Sequence, residues 1–257
     1  MPRNAKGWAL ALVCCATFAQ EHSAQEHKPA RALTVAAAAN LTDVFAEVAT
    51  KFRAQTGIAV VYSFGATANL TMQTEHAAPF DVFAAADVAH VDALEKEGLL
   101  TPGSKAIYAR GRLVLWTPSG SRAHVGRVED LKNDDVKMVA IANPKLAPYG
   151  AAAVESLHRL GLWSDVEPKV VYAETISAAK QFAATGNADA AFTAYSLVFR
   201  SGGNTIEIPA NLHAPIDQAV AILRSSGQQD QARRFVLFLL GPAGREILER
   251  YGYELPH

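Results

Sequence analysis

Cysteine is scarce in this 257-residue chain: there are two, Cys14 and Cys15, side by side near the N-terminus. They lie in an apolar stretch, Trp8 to Ala19, that follows Arg3 and Lys6 and precedes the polar run Gln20 to Lys28. That order is the pattern of a secretory signal peptide. Cleavage after Ala19, Ala24 or Ala30 removes both thiols, which excludes disulfides, thiol nucleophiles and dithiol redox chemistry from the mature chain. A lipid-anchored cysteine fits less well, because a small residue should precede the modified position and Val13 or Cys14 stands there. Residues 1–24 are therefore read as signal peptide and linker, with cleavage between 19 and 30 and a periplasmic destination.

Long apolar runs are missing as well. The N-terminal stretch falls short of the roughly 20 residues that cross a bilayer as a helix, and no later segment qualifies, so the mature chain is not expected to span a membrane. Charge of one sign is also missing: 24 Lys and Arg stand against 25 Asp and Glu. Without a basic run to follow a phosphate backbone, nucleic acid is not an expected partner. What is present is an ordinary globular composition, 50% hydrophobic and 19% charged, in a chain long enough for two packed lobes of about 110 residues each.

From Ala32 onward, short apolar strands alternate with longer amphipathic helices, as in α/β lobes built on largely parallel sheets. Leu33 to Ala38 reads as a strand, and Asn40 as the N-cap of a helix that Gly57 closes. Ile58 to Phe64 reads as a strand; Thr67 caps a helix to Glu75; Val82 to Ala85 is a strand; Asp87 caps a helix that stops at Gly98. Leu113 to Thr117 is a strand followed by the polar stretch Pro118 to Arg127. A second series then runs through a strand at Val136 to Ile141, a helix from Gly150 to Leu160, a strand at Lys169 to Tyr172, a helix at Ser177 to Ala184 and a strand at Ala190 to Ala194. A last strand, Asp217 to Leu223, precedes helices Gln229 to Leu240 and Pro242 to Arg250, which suit a return to the first lobe. The expected lobes are residues 32–112 with 217–257, and residues 113–216.

Four turns share one design, in which a strand ends, small or hydroxyl-bearing residues follow, and a helix begins. They are Ala38-Ala39-Asn40, Gly65-Ala66-Thr67, Pro148-Tyr149-Gly150 and Thr175-Ile176-Ser177. In open α/β sheets, ligands bind at such carboxyl ends of strands. The first N–H groups of a helix lack intrahelical partners and carry a partial positive charge, so several helix starts facing one cleft make an anion site without Lys or Arg. Capping for stability alone is the competing reading of each turn taken singly. The capping positions carry no carboxylate to accept a proton from hydrogen phosphate, so a fully ionised dianion such as sulfate, molybdate or tungstate fits the pattern better.

The stretches Val35-Ala-Ala-Ala-Ala-Asn40-Leu-Thr, Tyr62-Ser-Phe-Gly-Ala-Thr67, Ala78-Pro-Phe-Asp-Val-Phe-Ala-Ala-Ala-Asp87, Asn143-Pro-Lys-Leu-Ala-Pro-Tyr149-Gly150 and Gly241-Pro-Ala-Gly together resemble the periplasmic molybdate-binding proteins of ABC transporters. The similarity runs in order from Leu33 to Pro256. It implies a type II periplasmic binding protein, two α/β lobes with a ligand cleft between them. It also implies a monomer that captures molybdate or tungstate, uses no cofactor, and delivers its ligand to a membrane permease and its ATPase. By the same resemblance the oxyanion contacts are Ala39, Asn40, Thr67, Tyr149 and Ile176, with Ala86 and Tyr195 as further candidates. Ala39 lacks the hydroxyl usual at that position, so Asn40 serves through its amide or its backbone N–H. Thr67 keeps the hydroxyl donor where Ser is common. Tyr149 and Ile176 contribute backbone N–H groups, and the Tyr149 phenol is expected to close the mouth.

Other residue patterns are weaker. Asp81 and Asp87 read as a turn former and an N-cap rather than a catalytic pair. The scattered His76, His90, His124, His158 and His213 lack ligand spacing, and His22 and His27 read as linker, so no direct cation site is expected. Ser63 and Ser177 have no nucleophile elbow, and no catalytic residue is assigned. The alternative binding reading is a binder of a different ligand, such as sulfate, or a ferric-ion binder using Tyr149 and Tyr195, the iron reading being disfavoured because the turns offer neutral donors.

Overall fold

The computed structural model describes Met1 and residues 31–256. The signal peptide, both cysteines, His22 and His27 lie outside the described residues. Residues 31–256 are built on two five-stranded sheets.

The first lobe begins with β1 (Leu33–Ala38), a run of small and branched apolar residues buried along its length apart from Thr34. A 3-10 turn at Ala39–Leu41 leads into α1 (Thr42–Thr56), which buries Val44, Phe45, Val48 and Phe52 along one stripe. The chain continues through β2 (Val60–Gly65), α2 (Thr67–Glu75), β3 (Val82–Ala84), α3 (Ala89–Lys96) and β4 (Ala106–Gly111). The second lobe takes β5 (Leu113–Thr117), β6 (Val139–Ala142), α4 (Pro148–Arg159), α5 (Trp163–Val166), β7 (Val170–Ala173), α6 (Ile176–Ala184), β8 (Ala190–Ala194), α7 (Tyr195–Val198) and β9 (Asn204–Glu207). Then β10 (Ile216–Ile222) returns to the first sheet, and α8 (Gln229–Leu240) and α9 (Pro242–Arg250) close the chain.

The strand orders are β2-β1-β3-β10-β4 and β7-β6-β8-β5-β9. In the first sheet β2, β1 and β3 run parallel while β10 opposes β3 and β4. In the second β7, β6 and β8 run parallel while β5 opposes β8 and β9. Central parallel strands are covered on both faces, which explains their continuous apolar runs. On one face of the first sheet, Phe45 and Phe52 of α1 meet Phe235 of α8 edge to face, with centroids 6.1 and 5.4 Å apart. Such pairing adds directional stability to the burial itself.

Most of the strands and helices read from the sequence are found within one to three residues of their expected bounds. The strands β4 and β9 and the short helices α5 and α7 were not expected. Asp81 is more than a turn former. Its fully buried carboxylate accepts from Arg31 Nη2 at 2.7 Å, the Thr34 N–H, Ser226 Oγ and Gln228 Nε2, tying the start of β1 to the loop after β10. Every lone-pair direction is used, which is how a buried carboxylate avoids a desolvation penalty.

Candidate oxyanion cavity

Four helix starts meet at one small cavity. It is lined by Ala38–Asn40 ahead of α1, Gly65–Thr67 at α2, Ala147 and Pro148 at α4, and Ile176 at α6, with Ala86 beyond β3. Its volume is about 10 Å³, the scale of a single water centre, so only a compact guest fits and an extended organic one does not. No lining residue is charged. Larger hollows lie elsewhere, one of about 590 Å³ along the C-terminal edge and one of about 310 Å³ behind the lobe crossing. Their Arg110 and Arg112 are already paired with Asp217 and Glu207.

The helix starts supply donors. The N–H groups of Thr67, Tyr149 and Ile176 stand in the first turns of α2, α4 and α6, and none donates to a turn or loop carbonyl among the described residues. First-turn amides have no intrahelical acceptor, and the helix dipole adds positive potential there. The α4 start is brought in by a close approach: a Cβ at Gly150 would lie 2.0 Å from the Ala142 carbonyl oxygen, so only glycine lets this helix sit on the end of β6. At α6, Thr175 caps the helix by accepting from the Ala178 N–H at 3.1 Å.

Thr67 does not cap α2 with its side chain. Its Oγ1 instead accepts from the Ala86 N–H at 3.3 Å, which leaves the hydroxyl proton free to donate. Ala86 therefore lines the cavity and also orients the Thr67 hydroxyl. Nor does Asn40 act as a side-chain N-cap; it sits inside the 3-10 turn. Its Nδ2 donates to Gln218 Oε1 and to the Tyr253 hydroxyl, both at 2.9 Å. Both amide protons are thus committed, leaving the backbone N–H for a guest. Asn40 Oδ1 is buried without a donor among the described residues; reversing the amide would set it against Gln218 Oε1, another acceptor.

The side chains of Tyr149 and Tyr195 do not line the cavity, although the Tyr149 N–H stands next to lining Pro148 in the first turn of α4. The Tyr149 phenol is fully buried and turned inward, where it accepts from Gln218 Nε2 at 2.9 Å; it does not close the mouth. Burial is the largest cause that pushes the phenols of Tyr149, Tyr108 and Tyr253 above the usual tyrosine range and keeps them neutral, against the hydrogen bonds that Gln218 makes with Tyr149 and that Ser196 and Asn40 make with Tyr253. Tyr195 lies under the Arg112 guanidinium, 4.5 Å from ring centroid, and packs where a Cβ on Gly252 would stand, at 2.3 Å. The mouth is bridged instead by the Ala68 N–H donating to Leu146 C=O at 3.1 Å and by Asn69 Nδ2 donating to Glu174 Oε1 at 2.7 Å.

Two α/β lobes with helix starts converging between them define a periplasmic-binding-protein fold, and the family model for bacterial extracellular solute-binding proteins matches residues 33–254. The chain belongs to that family. Among characterised relatives it is 40% identical to the molybdate-binding protein ModA of Rhodobacter capsulatus, over 85% of this chain and 86% of that one. It is 42% identical to the molybdate-binding protein ModA of Azotobacter vinelandii, over 86% and 89%. The solved structure of the Azotobacter vinelandii periplasmic molybdate-binding protein superposes with a TM-score of 0.83 at 33% identity, covering 88% of this chain and all of that one.

Proposed function

We propose that this chain captures molybdate or tungstate in the periplasm and delivers it to the permease and ATPase of an ABC transporter. The observation that carries the reading is the convergence of four helix starts, two from each lobe, on one compact cavity with no charged side chain. The oxyanion contacts are the backbone N–H groups of Ala39, Asn40, Tyr149 and Ile176, and the N–H and hydroxyl of Thr67, with Ala86 acting through Thr67. Tyr195 has no part in the shell. Fixed amide dipoles stabilise a dianion without a counter-charge that would need its own desolvation. No carboxylate lines the cavity to take the proton of hydrogen phosphate, and the molybdate-binding names of relatives at 40 and 42% identity support the choice among dianions.

The protein works as a monomer by binding alone, with no cofactor and no turnover, after removal of residues 1–24. Lobe 1 comprises residues 32–112 and 217–257, lobe 2 residues 113–216, and the crossings at Gly111–Leu113 and Glu207–Ile216 form the hinge about which a bound ligand draws the lobes together. A ferric reading is opposed by the neutral, inward-facing phenol of Tyr149. Calorimetric titration of anion-free protein with molybdate, tungstate, sulfate and phosphate tests the proposal. Molybdate and tungstate are expected to bind far more tightly than the other two, and sulfate binding as tight as molybdate rejects it.

A further inference from the structure

Behind the cavity lies a buried polar network that the ligand shell does not use. Gln218, on β10, is completely buried and binds three partners from three elements. Its Oε1 accepts from Asn40 Nδ2 at 2.9 Å and from the Tyr108 hydroxyl at 2.8 Å, and its Nε2 donates to the Tyr149 hydroxyl at 2.9 Å. Asn40 forms a cavity wall in the first lobe, whereas Tyr149 belongs to the α4 start in the second. One side chain therefore connects two walls across the lobe boundary. The register of β10 against β4 shifts between Gln218 and Ala219, the kind of irregularity that re-aims a side chain beside a site.

The backbone leaves a notch for this contact. Gly111 is the last residue of β4, at the crossing into the second lobe. A Cβ there would lie 1.9 Å from the Tyr149 hydroxyl oxygen, 2.6 Å from Gln218 Nε2 and 2.7 Å from Tyr149 Cζ. The three nearest obstacles all belong to the contact between the lobes. Gly111 has no positive φ, so alanine is compatible with its backbone and the clash alone is at stake.

We infer that Gln218 is a positioning residue that latches the closed lobes through the Tyr149 phenol seated in the Gly111 notch, and so sets how long a captured anion stays. Opening exposes both the Gln218 amide and the phenol to water, where they pair freely; closing without their mutual bond buries an unpaired donor. The latch thus favours the closed form while leaving encounter at the open mouth untouched. The inference rests on the anion-binding reading for its kinetic test and on the structure alone for its second test.

Stopped-flow measurement of molybdate binding and release, with circular dichroism to establish folding, separates the two rates. Tyr149→Phe is expected to speed dissociation roughly 3- to 10-fold and Gly111→Ala roughly 10- to 100-fold, with association changed little in either. In the Gly111→Ala background, adding Tyr149→Phe removes the atom closest to the new methyl and is expected to slow dissociation again, reversing its effect in the wild-type background. A merely structural role predicts lower melting temperatures without a selective change in dissociation. Without ligand, amide exchange at Ala68, whose N–H crosses the mouth to Leu146 C=O, is expected to quicken in both single variants. Unchanged dissociation, additive double-variant effects or wild-type Ala68 exchange overturns the latch. A wild-type protein that binds no molybdate, with Ala68 exchange still faster in the variants, removes the ligand reading and leaves the latch standing.

Discussion

The sheets of the two lobes place their strands in matching positions: β2, β1, β3, β10 and β4 in one correspond to β7, β6, β8, β5 and β9 in the other. In each, the fourth strand begins just after the chain has crossed from the other lobe, and in each the first two parallel strands feed the helices whose starts reach the cavity. The contributions nonetheless differ. The first lobe adds a side-chain donor, the Thr67 hydroxyl oriented by Ala86. The second contributes through the first turns of α4 and α6, with the Tyr149 side chain turned away into the core. Beyond the third strand the divergence is wider still, since Ala86 lines the cavity while Tyr195 stacks beneath Arg112. Matching scaffolds thus fix where donors stand, and local side chains decide only which of them are supplemented.

The largest expected effect comes from removing a backbone donor in the second lobe. Ile176 is the first residue of α6, where proline is tolerated and lacks only an N–H that the helix does not use. Ile176→Pro is expected to weaken oxyanion binding by about 2 kcal/mol, the scale of a hydrogen bond to a charged group, while circular dichroism reports an intact helix content. Unchanged affinity in titration breaks the claim that this lobe binds through its amides. In the first lobe, Thr67→Ala is expected to cost about 1.5 kcal/mol of binding and Thr67→Ser much less. Equal losses from both would mean that the methyl, not the hydroxyl, matters.

The smallest effect concerns the turn after β3, which has no charged counterpart at Tyr195. Asp87 accepts from the His90 backbone N–H at 3.0 Å and from its Nδ1 at 2.7 Å. That side-chain bond, aided by the Asp87 and Glu75 charges and opposed by burial, raises the imidazole above its ordinary 6.5. Because the folded value is the higher one, the pair's stabilisation is complete below the unfolded value and fades as pH climbs through the raised one. Thermal melts of Asp87→Asn should show a deficit of about 0.5 kcal/mol near pH 5.5 that shrinks by about pH 8.5. A deficit that does not depend on pH would assign it to the backbone cap alone.

Much of this was legible in the sequence because strand-to-helix turns follow local rules. The end of β1, the bounds of β5 and β8, the two C-terminal helices and the small residues at four turns all follow from neighbours a few positions away. The commitments of individual side chains were not legible. Asn40 looks like an N-cap, but its amide is claimed by Gln218 and Tyr253, 178 and 213 residues further on. Tyr149 sits beside the cavity in sequence, yet its phenol finds a partner 69 residues away. The strand β9 escaped notice because its four residues are largely exposed and follow Gly202 and Gly203, so no apolar run marks it.

Amide donors at helix starts have a consequence for how such a protein changes over time. Nineteen of the twenty amino acids carry the same N–H, so most codon changes at Ile176 or Tyr149 leave the donor in place. In the proposed shell, substitutions at such positions therefore keep the donors that set the ligand's charge class. What drift can readily alter is the space between the helix starts, through residues as small as Ala39, Ala86 and Ala147. Selectivity within one class of anions can thus evolve by single methyl groups, while a change of class requires charged or polar side chains new to the cavity, on the same fold.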